Sequence, residues 1–362
     1  MKTKTTKKQH NPLDTIMPFL EDPKNSEILI DGHQHFQVVT QGKLTDASSP
    51  FKTEAELMEL IQAIAAPFGQ QADESHPILD LRLQDGSRVH VVVPPISLRG
   101  PAVTIRKATI GRMTADQLVG LGACSQEMVD FLEACVRARL NILVAGGTGS
   151  GKTTILAIIA NMIPDEERIV LLQQEEILLN KPRLVQLETR PANLEGRGEI
   201  TMRQLVNSAI NLRAERIVTQ ELTGGETLDI LQAMNSGFDG CIQGIHATST
   251  FDALVRLEEM VSYANPSLPT LSVRNLIASA VDVIVFAERL RSGQRRIMKI
   301  AEVIGLSDSV VTLRDIFEFR QFGVKNEQIE GDFHATGNIP NFMHRLQDMG
   351  IELPLSIFTP KK

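Results

Sequence analysis

The run Gly146-Gly147-Thr148-Gly149-Ser150-Gly151-Lys152-Thr153 constrains this chain more than any other feature. Its G-x-x-x-x-G-K-[ST] spacing is that of a loop whose backbone N–H groups wrap around nucleotide phosphates. Glycines let the chain curl tightly enough for several amides to face one anion. Lys152 would then neutralise charge on the β- and γ-phosphates, and the Thr153 hydroxyl would sit on Mg2+. The flanks agree. Leu140-Asn141-Ile142-Leu143-Val144-Ala145 predicts a buried strand entering the loop, and Thr154-Ile155-Leu156-Ala157-Ile158-Ile159-Ala160 predicts the helix leaving it. The N-terminus of that helix adds a dipole that favours phosphate. Gly146, Gly147, Thr148, Gly149, Ser150, Gly151, Lys152, Thr153 and Thr154 are therefore the expected nucleotide-binding residues.

Composition excludes several other classes. A chain of 362 residues, 42% hydrophobic and 22% charged, can bury real cores and is long enough for two domains. A net charge of −7, one tyrosine and no tryptophan argue against a general nucleic-acid surface and against base stacking. Cys124, Cys135 and Cys241 form no C-x-x-C pair, which suggests neither a zinc site nor a disulfide framework and fits a reduced compartment. The longest apolar stretch, Leu276 to Ala287, contains Asp282 and falls short of the ~18 apolar residues that span a bilayer. The expected location is cytoplasmic, with any contact at the inner membrane made through partners.

Shifts in composition predict the domain plan. Residues 1–10 read as a disordered basic tail, 11–106 as a small α+β domain, and 107–120 as a linker. Residues 121–300 alternate strands and helices as a nucleotide-binding α/β domain does, and 301–362 form a C-terminal extension of it. Within the α/β part, Glu215-Arg216-Ile217-Val218-Thr219-Gln220-Glu221 is an apolar strand that ends in a carboxylate. In a phosphate-loop enzyme a carboxylate at the tip of the neighbouring strand holds Mg2+ or orients the attacking water. Glu221 is the candidate for that role, and with Thr153 the candidate metal contact.

Several stretches resemble the secretion ATPase superfamily, the hexameric motors of type II and type IV secretion. They are most similar to its tight-adherence (Flp/Tad) pilus branch. The matching stretches are Gly100 to Lys107, the phosphate loop, Leu187 to Gly198, Leu228 to Gly237, and Gly244-Ile245-His246-Ala247-Thr248-Ser249. The C-terminal stretches Val311 to Phe317 and Gly331 to Gly337, with Pro340, Phe342, Arg345-Leu346 and Gly350 to Pro354, are the most specific to that branch. The resemblance implies an α/β chain with a small N-terminal α+β domain and a C-terminal RecA-like P-loop NTPase domain. It also implies ATP with Mg2+ as ligands, and a ring of copies, a hexamer, that meets polytopic inner-membrane platform proteins. By the same resemblance Glu221 would polarise the attacking water and His246 would sense the γ-phosphate. Arg106, Arg190, Arg203 and Arg213 match arginines that line the cleft, acting within one subunit or between two.

The chain departs from that pattern at two acidic positions. Relatives carry Glu-Asp and a further Glu after the strand that begins Arg168-Ile169-Val170, where this chain has Gln173-Gln174 and then Glu175-Glu176. Amides are neither bases nor good magnesium ligands. Either a shift in register brings Glu175 or Glu176 into the site, or hydrolysis is slow. The family's Gly-Glu-x-Arg reads Gln220-Glu221-Leu222-Thr223, so one arginine is missing. The expectation is an ATPase whose domain motions power pilus assembly or protein secretion; a catalytically weak ring subunit and a conjugation or type IV secretion motor are the alternatives.

Overall fold

Alternating buried positions build the first sheet. The computed structural model describes residues 12–40, 43–83, 86–107, 113–174, 177, 179–190, 192, 197–325 and 328–360, so Glu175 and Glu176 lie outside the described residues. The chain divides into two compact units between Gly111 and Arg112. The first holds α1 (Met17–Glu21), β1 (Asn25–Asp31), β2 (His35–Thr40), β3 (Lys43–Ala47), α2 (Glu54–Ala65), β4 (Ile78–Arg82), β5 (Arg88–Val92) and β6 (Ala102–Arg106). The strands lie in the order β3-β2-β1-β6-β5-β4, antiparallel throughout. Val89, Val91, Val103 and Ile105 alternate with more exposed residues and pack in one core with Leu57, Leu60, Ile61 and Ile64 of α2. Those α2 residues recur at the three- and four-residue spacing that puts them on one helical face. The helix starts where the Thr53 hydroxyl accepts the Glu56 amide.

Regular structure resumes inside the span expected to be linker. Ala115–Gly120 forms α3, opened by a capping box in which Thr114 and Gln117 satisfy each other's backbone amides, and Leu118 is buried in the second unit's core. That unit continues with α4 (Gln126–Arg137), β7 (Ile142–Gly146), α5 (Lys152–Asn161), β8 (Ile169–Gln173), β9 (Leu184–Glu188), α6 (Met202–Asn211) and β10 (Arg216–Leu222). It ends with α7 (Glu226–Asn235), β11 (Ile242–Ile245), α8 (Thr250–Ala264), α9 (Thr270–Ala280), β12 (Val283–Arg289), β13 (Arg295–Ser307), β14 (Val310–Lys325), β15 (Gln328–Ala335) and α10 (Met343–Asp348). The sheet order is β15-β14-β13-β12-β7-β11-β10-β8-β9. From β12 to β9 every neighbouring pair is parallel, and β13 to β15 add an antiparallel meander.

β7 and β8 are buried at every position, because helices cover both faces of a parallel sheet. On one face Ile142 and Val144 pack with Ile155 and Ile159 of α5 and with Phe131 of α4. On the other, Leu143, Ala145, Val170 and Leu172 pack with residues of α6 to α9. The C-terminal residues join the first of these cores, where Phe317, Phe342 and Phe358 surround Phe131 with ring centroids 5.5, 6.1 and 5.9 Å from it. The apolar stretch from Leu276 to Ala287 is two elements, the end of α9 and the start of β12. Asp282 sits between them and accepts hydrogen bonds from the Asn141 amide at 2.7 Å and from Arg345 at 2.8 Å. Among the described residues no helix is long and apolar enough to cross a membrane, and all three cysteines are buried and free.

Candidate active site

β7 lies between β12 and β11, all three parallel, so the phosphate loop leaves the carboxyl end of a central strand. Crevices at that end of a parallel sheet are where such folds bind ligands. Gly149 and Gly151 adopt left-handed φ values of +75° and +89°, which a side chain would strain, and Lys152 is the first residue of α5. The Lys152 side chain is only 8% exposed. The Ser150 hydroxyl is buried without a hydrogen-bond partner and packs against Gly146, where a Cβ would lie 2.5 Å from it. Thr153 is exposed and Thr154 half-buried on the first turn of the helix.

Lys152 Nζ meets Glu221 Oε2 at 2.7 Å. Glu221 does not sit on the strand adjacent to β7: β11 intervenes between β7 and β10. The carboxylate comes near the loop through two local devices. The β10–β11 register slips by one residue between Thr219 and Leu222, a bulge that re-aims the side chains there. Opposite it stands Gly244, where a Cβ would lie 1.9 Å from the Gln220 carbonyl oxygen. Gly244→Ala is therefore expected to push β10 away from β11, lowering stability by about 1–3 kcal/mol and opening the Lys152–Glu221 contact. Thermal melting together with a nucleotide-binding titration checks both, and an alanine variant that melts and binds like the wild type would refute this account of the bulge.

The segment after β11 is tied to the loop. The Ala247 amide donates to the Gly146 carbonyl at 3.4 Å, which leaves the adjacent His246 exposed at the same end of the sheet. The Gln173 and Gln220 side chains hold backbone in place. The Gln173 side-chain oxygen accepts the Ile177 amide at 3.0 Å, and the Gln174 amide donates to the Gln220 side chain at 2.8 Å.

The sequence-predicted arginines do not converge on one point. Arg203 makes a bidentate pair with Asp229 at 2.7 and 3.2 Å on the α6–α7 surface. Arg190 donates to the Gly198 carbonyl at 2.6 Å, beyond the end of edge strand β9. Arg213 precedes β10 and so lies at the opposite end of that strand from Glu221, roughly 20 Å away at ~3.3 Å per residue. Within one copy Arg213 therefore lies far from the Lys152 loop. Arg106 is on β6 of the first unit, exposed and 3.8 Å from Glu27.

Of two arginines that sequence reasoning missed, one bonds the loop and the other lies beside it. Arg295 Nε donates to the Gly149 carbonyl at 2.9 Å, and a Cβ built on Gly149 would lie 3.7 Å from Arg289 Nη1. The signal was the run Arg289-Leu290-Arg291-Ser292-Gly293-Gln294-Arg295-Arg296, a basic turn directly after an apolar strand.

A glycine loop closed by Lys-Thr on the central strand of a RecA-like sheet, with a strand-borne glutamate on the lysine, defines a nucleotide-binding P-loop ATPase. The chain belongs to the type II/IV secretion system protein family, which it matches over residues 10–331. It is 31% identical to the conjugal transfer protein TrbB of Rhizobium radiobacter over 304 residues, 81% of this chain and 88% of that one. It is 28% identical to the type IV secretion system protein VirB11 of Bartonella quintana over 319 residues, covering 77% and 88%. The fold is also that of the pilus retraction motor PilT with bound ADP, at a TM-score of 0.60 and 18% identity over 81% of this chain and 83% of PilT. The ATPase DotB of Legionella pneumophila gives a TM-score of 0.57 at 16% identity, over 84% and 83%.

Proposed function

We propose that this protein is a ring-forming traffic ATPase, a hexamer at the cytoplasmic side of an inner membrane, that couples ATP hydrolysis to motion of its N-terminal unit. The observation that carries this reading is the glycine loop whose lysine contacts Glu221 at 2.7 Å. The loop amides and Lys152 hold the β- and γ-phosphates. Mg2+, when bound, neutralises charge on the phosphate oxygens; Thr153 and Glu221 are the protein groups that would hold it. Such an ion takes most of its oxygens from phosphate and water. Glu221, released from Lys152 by phosphate, orients and polarises the attacking water. His246, tethered through Ala247 to Gly146, registers the γ-phosphate and its loss. Arg106, Arg190, Arg203 and Arg213 are the arginines available to stabilise transition-state charge, within a copy or across a ring.

The client we propose is a tight-adherence pilus platform, on the strength of the C-terminal segment from Gly331 to Pro354. A second reading, a conjugation or type IV secretion motor, is favoured by the names of the relatives TrbB and VirB11. Purified protein with Mg2+ and ATP is expected to release phosphate, and Lys152→Ala to reduce that release at least about 10²-fold. ATP binding without turnover in the wild type would replace the motor with a nucleotide-gated ring subunit. Deleting the gene in its own cell separates the clients: loss of surface pili with normal DNA transfer supports the first, and the reverse result supports the second.

A further inference from the structure

Lys152 brings less positive charge to the phosphate loop than the motif suggests, because Glu221 already sits 2.7 Å from it. The other charge beside the loop is on the β12–β13 hairpin. Its turn is tight, with the Leu290 amide donating to the Gln294 carbonyl and the Gly293 amide to the Leu290 carbonyl, both at 2.8 Å. Val283, Val285 and Ala287 form the face of β12 that packs in one core with Ile155 and Ile159 of α5. Strand alternation continues that row into Arg289, past the end of the β7 pairing at Ala287 and Gly146. The hairpin's carboxylate, Glu288, is on the opposite face by the same alternation. A Cβ on Gly149 would lie 3.7 Å from both Cδ and Nη1 of Arg289, and one on Gly151 would lie 3.3 Å from Cδ of Arg295. Among the described residues neither arginine has an acidic partner.

We propose that Arg289 contacts the phosphates of the bound nucleotide and that Arg295 is a positioning residue for the loop, so that the hairpin is a second wall of the phosphate site. This rests on the reading of the Lys152 loop as that site. Arg295 acts through the 2.9 Å bond to the Gly149 carbonyl, which turns that oxygen outward and leaves the loop amides free to converge on the anion. Arg289 supplies a guanidinium that can take two phosphate oxygens at once.

The test is displacement of a fluorescent ATP analogue by ATP and by inorganic triphosphate, on the full chain, for wild type, Lys152→Ala, Arg289→Ala, Arg289→Lys and Arg295→Ala. Arg289→Ala is expected to weaken ATP and triphosphate by the same factor, about tenfold, with a shallower salt dependence and partial rescue by lysine. Arg295→Ala is expected to weaken both ligands severalfold with its salt dependence unchanged, as loss of loop geometry requires. Should Arg289→Ala melt early, Arg289→Gln takes its place. Binding lost in Lys152→Ala but untouched in both arginine variants overturns the proposal while leaving the nucleotide site intact. A loss for ATP without a loss for triphosphate also overturns it, because Arg289 would then meet the nucleoside. Wild type that binds neither ligand removes the underlying reading of the loop, and the proposal with it.

Discussion

Glu221→Gln is expected to lower phosphate release by about 10² to 10⁴-fold, the range a positioned general base supplies, while binding ATP roughly two- to fivefold more tightly. The two effects have one cause. Glu221 and the γ-phosphate compete for the same ammonium, which the carboxylate holds at 2.7 Å with its own side chain 30% exposed. An amide still accepts a hydrogen bond from Lys152 but carries no charge, so the competitor is weakened and the water-activating group is lost together. Stopped-flow binding and steady-state phosphate release on one preparation measure both. Unchanged turnover would move the general base elsewhere, with Glu175 and Glu176 the next carboxylates to replace. Weaker binding would instead mean that Glu221 serves chiefly as a metal contact.

The second large effect concerns stability at the other end of the sheet. Arg216 opens β10 with its side chain fully buried, and its guanidinium donates to Glu167 at 2.6 and 3.0 Å, to the Val136 carbonyl at 2.9 Å and to the Gly240 carbonyl at 3.1 Å. One cation thus joins the last turn of α4, the approach to β8, the start of β10 and the approach to β11. Glu167→Ala leaves that charge enclosed with carbonyls alone. Breaking such a pair costs about 3–5 kcal/mol, which lowers the melting temperature of a unit this size by roughly 10 °C. Arg139 also contacts Glu167, at 2.7 Å, but is 37% exposed, so Arg139→Ala is expected to cost less than about 1 kcal/mol. Calorimetry of the two variants side by side decides this. Equal losses would show that water reaches Arg216 and that the pair is not buried in its energetics.

Much of the catalytic half was legible because local chemistry dictates it. A loop that needs left-handed residues must spell glycine, as at Gly149 and Gly151, and strands covered on both faces must be apolar throughout, as Ile142 to Ala145 and Ile169 to Leu172 are. Strand order was not legible. Nothing in Cys241 to Ile245 says that it inserts between β7 and β10, since that follows from pairings far apart in the chain. The meander from Arg295 to Ala335 was also hidden: its strands mix charged and apolar residues, and register shifts at Ile300/Ala301, Val303/Gly305 and Gln321/Gly323 break the two-residue period. Arg289 and Arg295 went unassigned for a similar reason. Only the fold brings a hairpin tip against a loop about 140 residues earlier in the chain.

The glutamines at the tips of β8 and β10 bear on what position 173 can accept. Gln173 is 3% exposed and its side-chain oxygen is committed to the Ile177 amide; Gln220, 7% exposed, holds the Gln174 amide. A carboxylate placed at position 173 alone would arrive in a nearly closed pocket and lose its hydration, a net penalty of several kcal/mol. A carboxylate there therefore needs a second change, in the segment around Ile177 or at Gln220. The two amides thus make an acidic residue at this strand tip a matter of coordinated changes and not of one.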